Sequence, residues 1–473
     1  MTAPHGDPVH AALDNGLHQL AALGGDLVEQ ANAIGTILWS PPRVVVVGRL
    51  KAGKSTLVNA LIGAPVAETA ALEATNVVTV YQDGSPSRAE VVGADGQRHP
   101  VTVHRDRTIG LPLETPDIAY VDRWMPSAAL RRLTLIDTPG LSTLTVANDS
   151  ATRRVMIDGF EQTRTASVDA DAAVFLFDAA PRLDETEFLA RLPFTPLNML
   201  GVLSRADSFG EGALGRRDPL DHAAEHATRL ATQLSGTVHS VVPISGLMAQ
   251  TSHTGMLTEQ HAAALARLQP MSPLDVLRTF DDDAADGPLP PAVREQLLGL
   301  LGEYGVLNGR RIATGGAAAL NEWLSARSGI GALHRALDAS TARFAVLHRA
   351  HRILARLDQL AFTHPARDHI RSLTAQLRGS PALHLVTVLE DYQRMLRTDP
   401  QAPVTEDLHT ILTATTRAGQ VGLPDDAPGH AVTAEAQRRL VMAQQRTLAT
   451  RSAAEDAALV TLIRTYTPLS TGR

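Results

Sequence analysis

The chain has 473 residues, 44% hydrophobic and 20% charged, with a mean hydropathy of -0.03. That is length for two or three domains and it excludes a single small module, a fibre or a disordered chain. Its 43 basic and 50 acidic residues give a net charge of -7, an argument against nucleic acid as partner, and the absence of cysteine excludes disulfides, thiolate metal sites and a cysteine nucleophile.

No Lys or Arg precedes Arg43 and no run of about eighteen apolar residues lacks a charge, so neither a signal peptide nor a spanning helix is expected; the cytoplasm is the default compartment. Leu13, Leu17, Leu20, Gly24, Leu27, Ala31, Ile34 and Leu38 recur at steps of three and four, which predicts one long helix over residues 1–40 that packs on other helices. From 41 to 256 short apolar runs alternate with helical stretches: Val44 to Val47, Val77 to Tyr81, Leu133 to Ile136, Ala172 to Phe177, Met199 to Leu203 and Val241 to Ile244. The pattern predicts an α/β domain with a mostly parallel sheet flanked by helices. A hairpin is expected at Ala89 to Val92 and Val101 to Val103 about Asp95-Gly96.

Beyond 256 the sequence turns helical. Asp281 to Asp283 and Pro288 to Pro291 suggest a linker, and Ile330, Leu333, Leu337, Phe344, Leu347 and Leu354 predict a helix ending near Phe362, before His364-Pro365. Further helices are expected over 366–397 and 433–465. The fold class is an α/β phosphate-loop domain, 41–256, set into an α-helical bundle or stalk formed by both chain ends, 1–40 and 257–473. From residue 330 onward 17 Arg face 13 acids, a mildly basic tail.

Only two of the 43 basic residues are lysine, and both lie in Gly48-Arg49-Leu50-Lys51-Ala52-Gly53-Lys54-Ser55. Two glycines five apart, then Lys-Ser, between a predicted strand and a predicted helix, form a phosphate loop. Backbone N–H groups of Lys51, Ala52, Gly53, Lys54, Ser55 and Thr56 would wrap phosphates, Lys54 would reach the β and γ oxygens, and the Ser55 hydroxyl would hold Mg²⁺. Asp137-Thr138-Pro139-Gly140 follows a strand-like run, so Asp137 can hold the same Mg²⁺ and the Gly140 N–H can sense a γ-phosphate. In Ser204-Arg205-Ala206-Asp207 the carboxylate can accept from N1–H and the 2-amino group of guanine, which favours GTP over ATP. Pro243-Ile244-Ser245-Gly246 would offer amides to the guanine O6.

Together with Glu73-Ala74-Thr75-Asn76-Val77-Val78-Thr79, these segments resemble a bacterial dynamin-like GTPase of the mycobacterial isoniazid-inducible type, from the N-terminus to about residue 360. The resemblance implies that Thr75 coordinates Mg²⁺ and orients the attacking water, with Thr79 the competing candidate. It also implies GTP and GDP as ligands, a homodimer through GTPase domains or assembly with another dynamin-like protein, and peripheral contact with an anionic membrane at the inner face of the cell. Ser204 and Arg205 depart from the usual Asn or Thr and Lys. Leu50 and Lys51 replace the Gln and Ser with which eukaryotic dynamins hold a monovalent cation, and the Lys51 ammonium either supplies that charge or points to solvent or a partner.

His222-Ala223-Ala224-Glu225-His226 matches a zinc-peptidase string without a convincing third ligand and is read as helix surface. Asp281, Asp282, Asp283 and Asp286 lack calcium-loop spacing. Arg343, Arg349, Arg352, Arg356, Arg367 and Arg371 read as a charged solvent face, with anionic lipid the alternative, and Phe362 marks a candidate membrane-insertion tip. A GTP-switched scaffold that binds a protein partner is the rival to membrane remodelling.

Overall fold

A computed structural model describes residues 7–49, 51–66, 77–104, 109–114, 117–140, 164, 166, 170–281 and 287–472. The chain divides into two compact units, Met1–Ser40 with Arg343–Arg473, and Pro41–Ala342.

The first unit opens with α1 (Pro8–Ala21), capped by the Asp7 carboxylate, and α2 (Leu27–Trp39). Leu13, Leu17, Leu20, Leu27, Ala31, Ile34 and Leu38 are buried, as their spacing requires. The single long helix expected here is nevertheless two, because Gly24 and Gly25 adopt φ of 75° and 65° and stop the first.

In the second unit β1 (Arg43–Gly48) leads into α3 (Lys54–Ile62), followed by β2 (Thr79–Asp83), β3 (Arg88–Gly93), β4 (Arg98–Val101), β5 (Ile118–Met125), β6 (Thr134–Asp137) and β7 (Ala172–Phe177). Then come α4 (Leu183–Leu189), β8 (Met199–Leu203), α5 (Pro219–Gln233), β9 (Ser240–Pro243) and α6 (Gly246–Thr254). The strands form one sheet in the order β4-β3-β5-β2-β6-β1-β7-β8-β9. Strands β6, β1, β7, β8 and β9 run parallel; β2 is antiparallel to β6 and β3 is antiparallel to both β4 and β5. Strand β1 is buried on both faces, hence its unbroken valine run. Val44 and Val46 pack with Leu57 and Leu61 of α3, while Val45 and Val47 pack with Phe175, Phe177 and Ala227 of α5.

Strand β5 was not foreseen, since Asp122 and Arg123 interrupt its apolar character. Both are buried and partnered: Asp122 accepts from Arg98 and Gln82 at 3.0 Å each, and Arg123 donates to the Val66 carbonyl. The hairpin forms about Asp95-Gly96 as expected, but its second strand is Arg98–Val101, with Ala89 opposite Val101, and Val103 instead bridges Ile109.

The expected boundary at 256 is corrected. The unit continues through α7 (Glu259–Ala266), α8 (Pro273–Asp281), α9 (Pro291–Ile312), α10 (Gly316–Arg327) and α11 (Ile330–Ser340). Met248 of α6 shares a core with Leu265, Val276, Leu297, Leu301, Leu320 and Leu324, so the acidic and proline-rich stretch joins two helices of one core rather than two domains. Ile330, Leu333 and Leu337 pack with Val44 and Val46 of the sheet. The predicted helix from 330 to 362 is therefore shared between units, and a π-helical turn at Thr341–Ala345 contains the boundary.

The first unit resumes with α12 (Val346–Thr363), α13 (Arg367–Gly379), α14 (His384–Thr398), α15 (Pro403–Thr413), α16 (Arg417–Gln420), α17 (Gly429–Arg446) and α18 (Ala453–Ser470). Helix α15 lies between the two late helices expected from sequence; Pro403 occupies its first turn, where no N–H is needed, and Val404, Leu408 and Ile411 are buried. Of the late arginines, Arg349 donates to the Leu38 and Ser40 carbonyls at 3.1 and 2.8 Å and Arg343 to the Leu412 and Ala414 carbonyls, so these two serve the packing of the unit. Arg356, Arg367 and Arg371 are exposed.

Candidate functional site

The parallel strands deliver their C-terminal ends to one edge of the sheet, where open α/β sheets bind ligands. A cavity of about 550 Å³ lies there, lined by Lys51, Ala52, Gly53, Lys54, Ser55 and Thr56 from the turn after β1. Asp137 and Gly140 after β6, Ser204, Arg205 and Asp207 after β8, and Gly246 and Leu247 after β9 complete it. The sequence-predicted segments thus converge. Thr75 lies outside the described residues, as does Leu50.

Gly48 is the last residue of β1, where the loop begins. A Cβ there would come within 2.9 Å of the Leu176 carbonyl oxygen, so only glycine lets the loop leave β1 against β7. The loop then turns tightly: the Ala52 N–H donates to the Arg49 carbonyl at 3.1 Å, and Gly53, with φ of 93°, precedes the first turn of α3. The free N–H groups at that helix start and its dipole favour an anion. Lys54, 9% exposed, stands in this first turn.

Among the described residues two that are not glycine adopt positive φ, Lys51 at 64° and Arg205 at 54°, and they are bonded to each other. The Arg205 guanidinium donates to the Lys51 carbonyl at 2.8 Å. The Ser204 hydroxyl is engaged differently, donating to the Phe177 carbonyl at 3.2 Å. The Ser245 amide, expected to face the base, is already committed to the Ser328 carbonyl at 2.9 Å, and the Ile244 amide to Leu203. That expectation narrows to Gly246, whose N–H at the first position of α6 has no acceptor within the helix. Gly246 also lies against Thr56, with 3.4 Å from its built Cβ to the threonine methyl.

Asp137 is buried enough that desolvation raises its pKa above the usual carboxylate range, while Lys54 and the Thr138 amide act in the opposite direction. Among the described residues its Oδ1 has no hydrogen-bond partner. An orphaned buried carboxylate oxygen in a cavity also lined by Ser55 and the start of α3 fits Mg²⁺, which takes few protein ligands and fills the rest with phosphate and water. Thr79 pairs with Asp137 across β2 and β6, which fixes it in the sheet at the cavity wall.

Three contributors were not found from sequence. Tyr81, two residues after Thr79 on the same strand face, also lines the cavity; burial, with the Asp137 charge, pushes its hydroxyl pKa up. The alternation of β2 could have found it. Arg49 lies at a position the loop pattern leaves unspecified, and its Nε stands 3.7 Å from Glu185 of α4. Gly302 of α9 approaches Asp207 from a helix that the sequence assigned to another domain. His222 and His226 both pack on the Phe209 ring, at 5.0 Å each.

A carboxyl whose pKa folding raises weakens the fold above its ordinary value, about 3.9, and ceases to do so as pH falls below it. Asp137→Asn should therefore raise the melting temperature of the nucleotide-free protein at pH 7, with the gain shrinking as pH falls toward the ordinary carboxylate value, and weaken Mg²⁺-dependent GDP binding about tenfold or more. Melting curves and calorimetry check both; a lower melting temperature or unchanged binding would contradict the assignment.

Residues 44–192 match the model of the dynamin family. The isoniazid-induced protein IniC of Mycobacterium tuberculosis is 30% identical over 360 residues, covering 72% of this chain and 71% of that protein. The isoniazid-induced protein IniA of the same organism is 31% identical over 173 residues, 34% of this chain and 25% of its own. A solved structure of an oligomerised bacterial dynamin pair, described as a mechanism for long-range sensing and tethering of membranes, covers 98% of this chain and 73% of its own at 14% identity, with a TM-score of 0.30. On the extent of the IniC match and the family model that spans the phosphate loop and Asp137, the chain belongs to the dynamin family.

Proposed function

We propose that this chain is a Mg²⁺-dependent GTPase, hydrolysing GTP to GDP and phosphate, and that it couples the nucleotide state to self-assembly and membrane remodelling at the cytoplasmic face of the cell membrane. The convergence of the phosphate loop, Asp137 and Asp207 on one cavity carries the reading.

The N–H groups at the start of α3 hold the phosphates and Lys54 neutralises the β and γ oxygens. Ser55, Asp137 and Thr75 would hold Mg²⁺, which when bound offsets charge on those same oxygens. Gly140 senses the γ-phosphate through its N–H, and Thr75 orients the attacking water. Asp207 selects guanine, with Gly246 facing O6. Arg205 fixes the Lys51 carbonyl, which leaves the exposed Lys51 side chain at the cavity mouth. There its ammonium supplies the charge that eukaryotic dynamins draw from a bound monovalent cation.

For assembly, Leu183 is 75% exposed at the start of α4, the helix that Glu185 links to the phosphate loop, and it gives an apolar contact for a second GTPase unit, of this chain or of another dynamin-like protein. For the membrane, Phe362 is 83% exposed at the end of α12. His364 meets Asp26 at 3.1 Å, which brings exposed Leu23 and Val28 to the same end of the first unit, near Arg367 and Arg371. The contact proposed there is peripheral; among the described residues no helix is long and apolar enough to cross a membrane.

Phosphate release from GTP should be abolished in Lys54→Ala and, in the wild type, unaffected when K⁺ or Na⁺ is replaced by a bulky organic cation. Lys51→Ser should lose tenfold or more in kcat with little change in KM, because stabilisation confined to the transition state appears in turnover. A cation-dependent wild type or a fully active Lys51→Ser contradicts the role of Lys51. In co-sedimentation with anionic liposomes and a non-hydrolysable GTP analogue the wild type should pellet and Phe362→Asp should pellet several-fold less. A wild type that stays in the supernatant with and without nucleotide would favour the GTP-switched scaffold.

A further inference from the structure

Helix α9 is broken. At Gly302 the backbone adopts φ 64° and ψ 175°, a region essentially confined to glycine, and the helix resumes beyond it. Both sides of the break are anchored. Before it, the Leu300 carbonyl accepts a hydrogen bond from Thr251 Oγ1 of α6 at 2.5 Å. After it, the Tyr304 hydroxyl donates to Asp218 Oδ2 at 2.9 Å, and Arg327 of α10 donates to that oxygen at 2.6 Å and to the Tyr304 hydroxyl at 2.8 Å. The other Asp218 oxygen caps α5. Three neighbouring helices hold a geometry that the chain would otherwise relax.

The break faces the base-reading corner of the cavity. A Cβ on Gly302 would stand 3.5 Å from Asp207 Oδ2 and 3.5 Å from Leu247 Cδ2, and both residues line the cavity. Neither distance is a clash, so the glycine is there for its backbone rather than for space. A carboxylate that must meet N1–H and the 2-amino group edge-on works in one orientation, and a helix break that leaves no more than a methyl's width beside Oδ2 restricts the alternatives.

We propose that Gly302 is a positioning residue for base selection: the glycine-only break sets the α9 backbone beside Asp207, with room for no more than a methyl group before its Oδ2, and keeps that carboxylate aimed at guanine. The proposal rests on the reading of Asp207 as the guanine-selecting group. It adds a specificity determinant from a helix outside the strand-end segments that read the nucleotide.

Inosine keeps N1–H and lacks the 2-amino group, so the ratio of GDP to IDP affinity reports the orientation of Asp207, whereas a general loss of structure weakens both ligands alike. Calorimetric titration of GDP and IDP with Mg²⁺ into the full chain compares the wild type, Gly302→Ala and the control Gly299→Ala. Gly299 lies in the same helix, and nothing stands within 4 Å of its built Cβ. The wild type should prefer GDP about tenfold or more, Gly302→Ala should lose at least fivefold of that ratio with IDP affinity nearly unchanged, and Gly299→Ala should match the wild type. A wild-type ratio in Gly302→Ala, or an equal loss for both ligands, overturns the proposal alone. A wild type that binds GDP and IDP equally overturns the reading of Asp207 and the proposal with it. Should Gly302→Ala fail to fold by circular dichroism, Thr251→Val, which removes the bond to Leu300, decides in the same way: a reduced ratio supports the proposal and an unchanged one overturns it.

Discussion

Arg205 donates a 2.8 Å hydrogen bond to the carbonyl of Lys51, 154 positions earlier in the chain, and both residues hold the left-handed backbone that side chains resist. Such conformations cost roughly 1–3 kcal/mol each and persist only where the surroundings over-determine them. Here the two strained turns secure one another. One belongs to the loop proposed to wrap phosphates and the other to the segment proposed to read the base, so the two ends of a nucleotide would meet a single connected frame. The Arg at 205 suits this: a planar guanidinium can reach a carbonyl while the body of the side chain lies along the cavity.

Around that frame, charge is placed by burial. Desolvation holds the Asp137 carboxyl above its ordinary pKa, and Lys54 is the nearby cation that opposes this. A site poised in this way is costly when empty and relieved when metal and phosphates arrive, which is the physical link between stability and nucleotide state. Glu185 extends the frame to α4 through Arg49, and the broken α9 extends it to the helices that follow the sheet.

The parts legible in the sequence were those in which chemistry and spacing coincide. The valine run of β1, the glycines at 48 and 53 and the pair of lysines specify the phosphate loop because few other residues tolerate those positions. Strand β5 was illegible because its buried Asp122 and Arg123 are paid for by partners that lie far away in sequence. The 256 boundary failed for a similar reason: Leu265, Leu297 and Leu324 show helical periodicity, but periodicity does not say which surface they cover. Gly24 and Gly25 lay inside a convincing apolar seam, and the seam survived while the helix did not. The Ser245 amide could not be assigned from sequence, since its acceptor, the Ser328 carbonyl, comes from α10's far end.

Binding of inorganic tripolyphosphate with Mg²⁺, a ligand that has phosphates and no base, to the wild type and to Arg205→Ala tests most directly whether base reader and phosphate loop are one mechanical piece. If the Arg205 hydrogen bond holds Lys51 in its strained turn, the variant loses affinity for tripolyphosphate by about fivefold or more although the substitution lies in the base-reading segment. Unchanged tripolyphosphate affinity, with only guanine discrimination altered, would contradict the account.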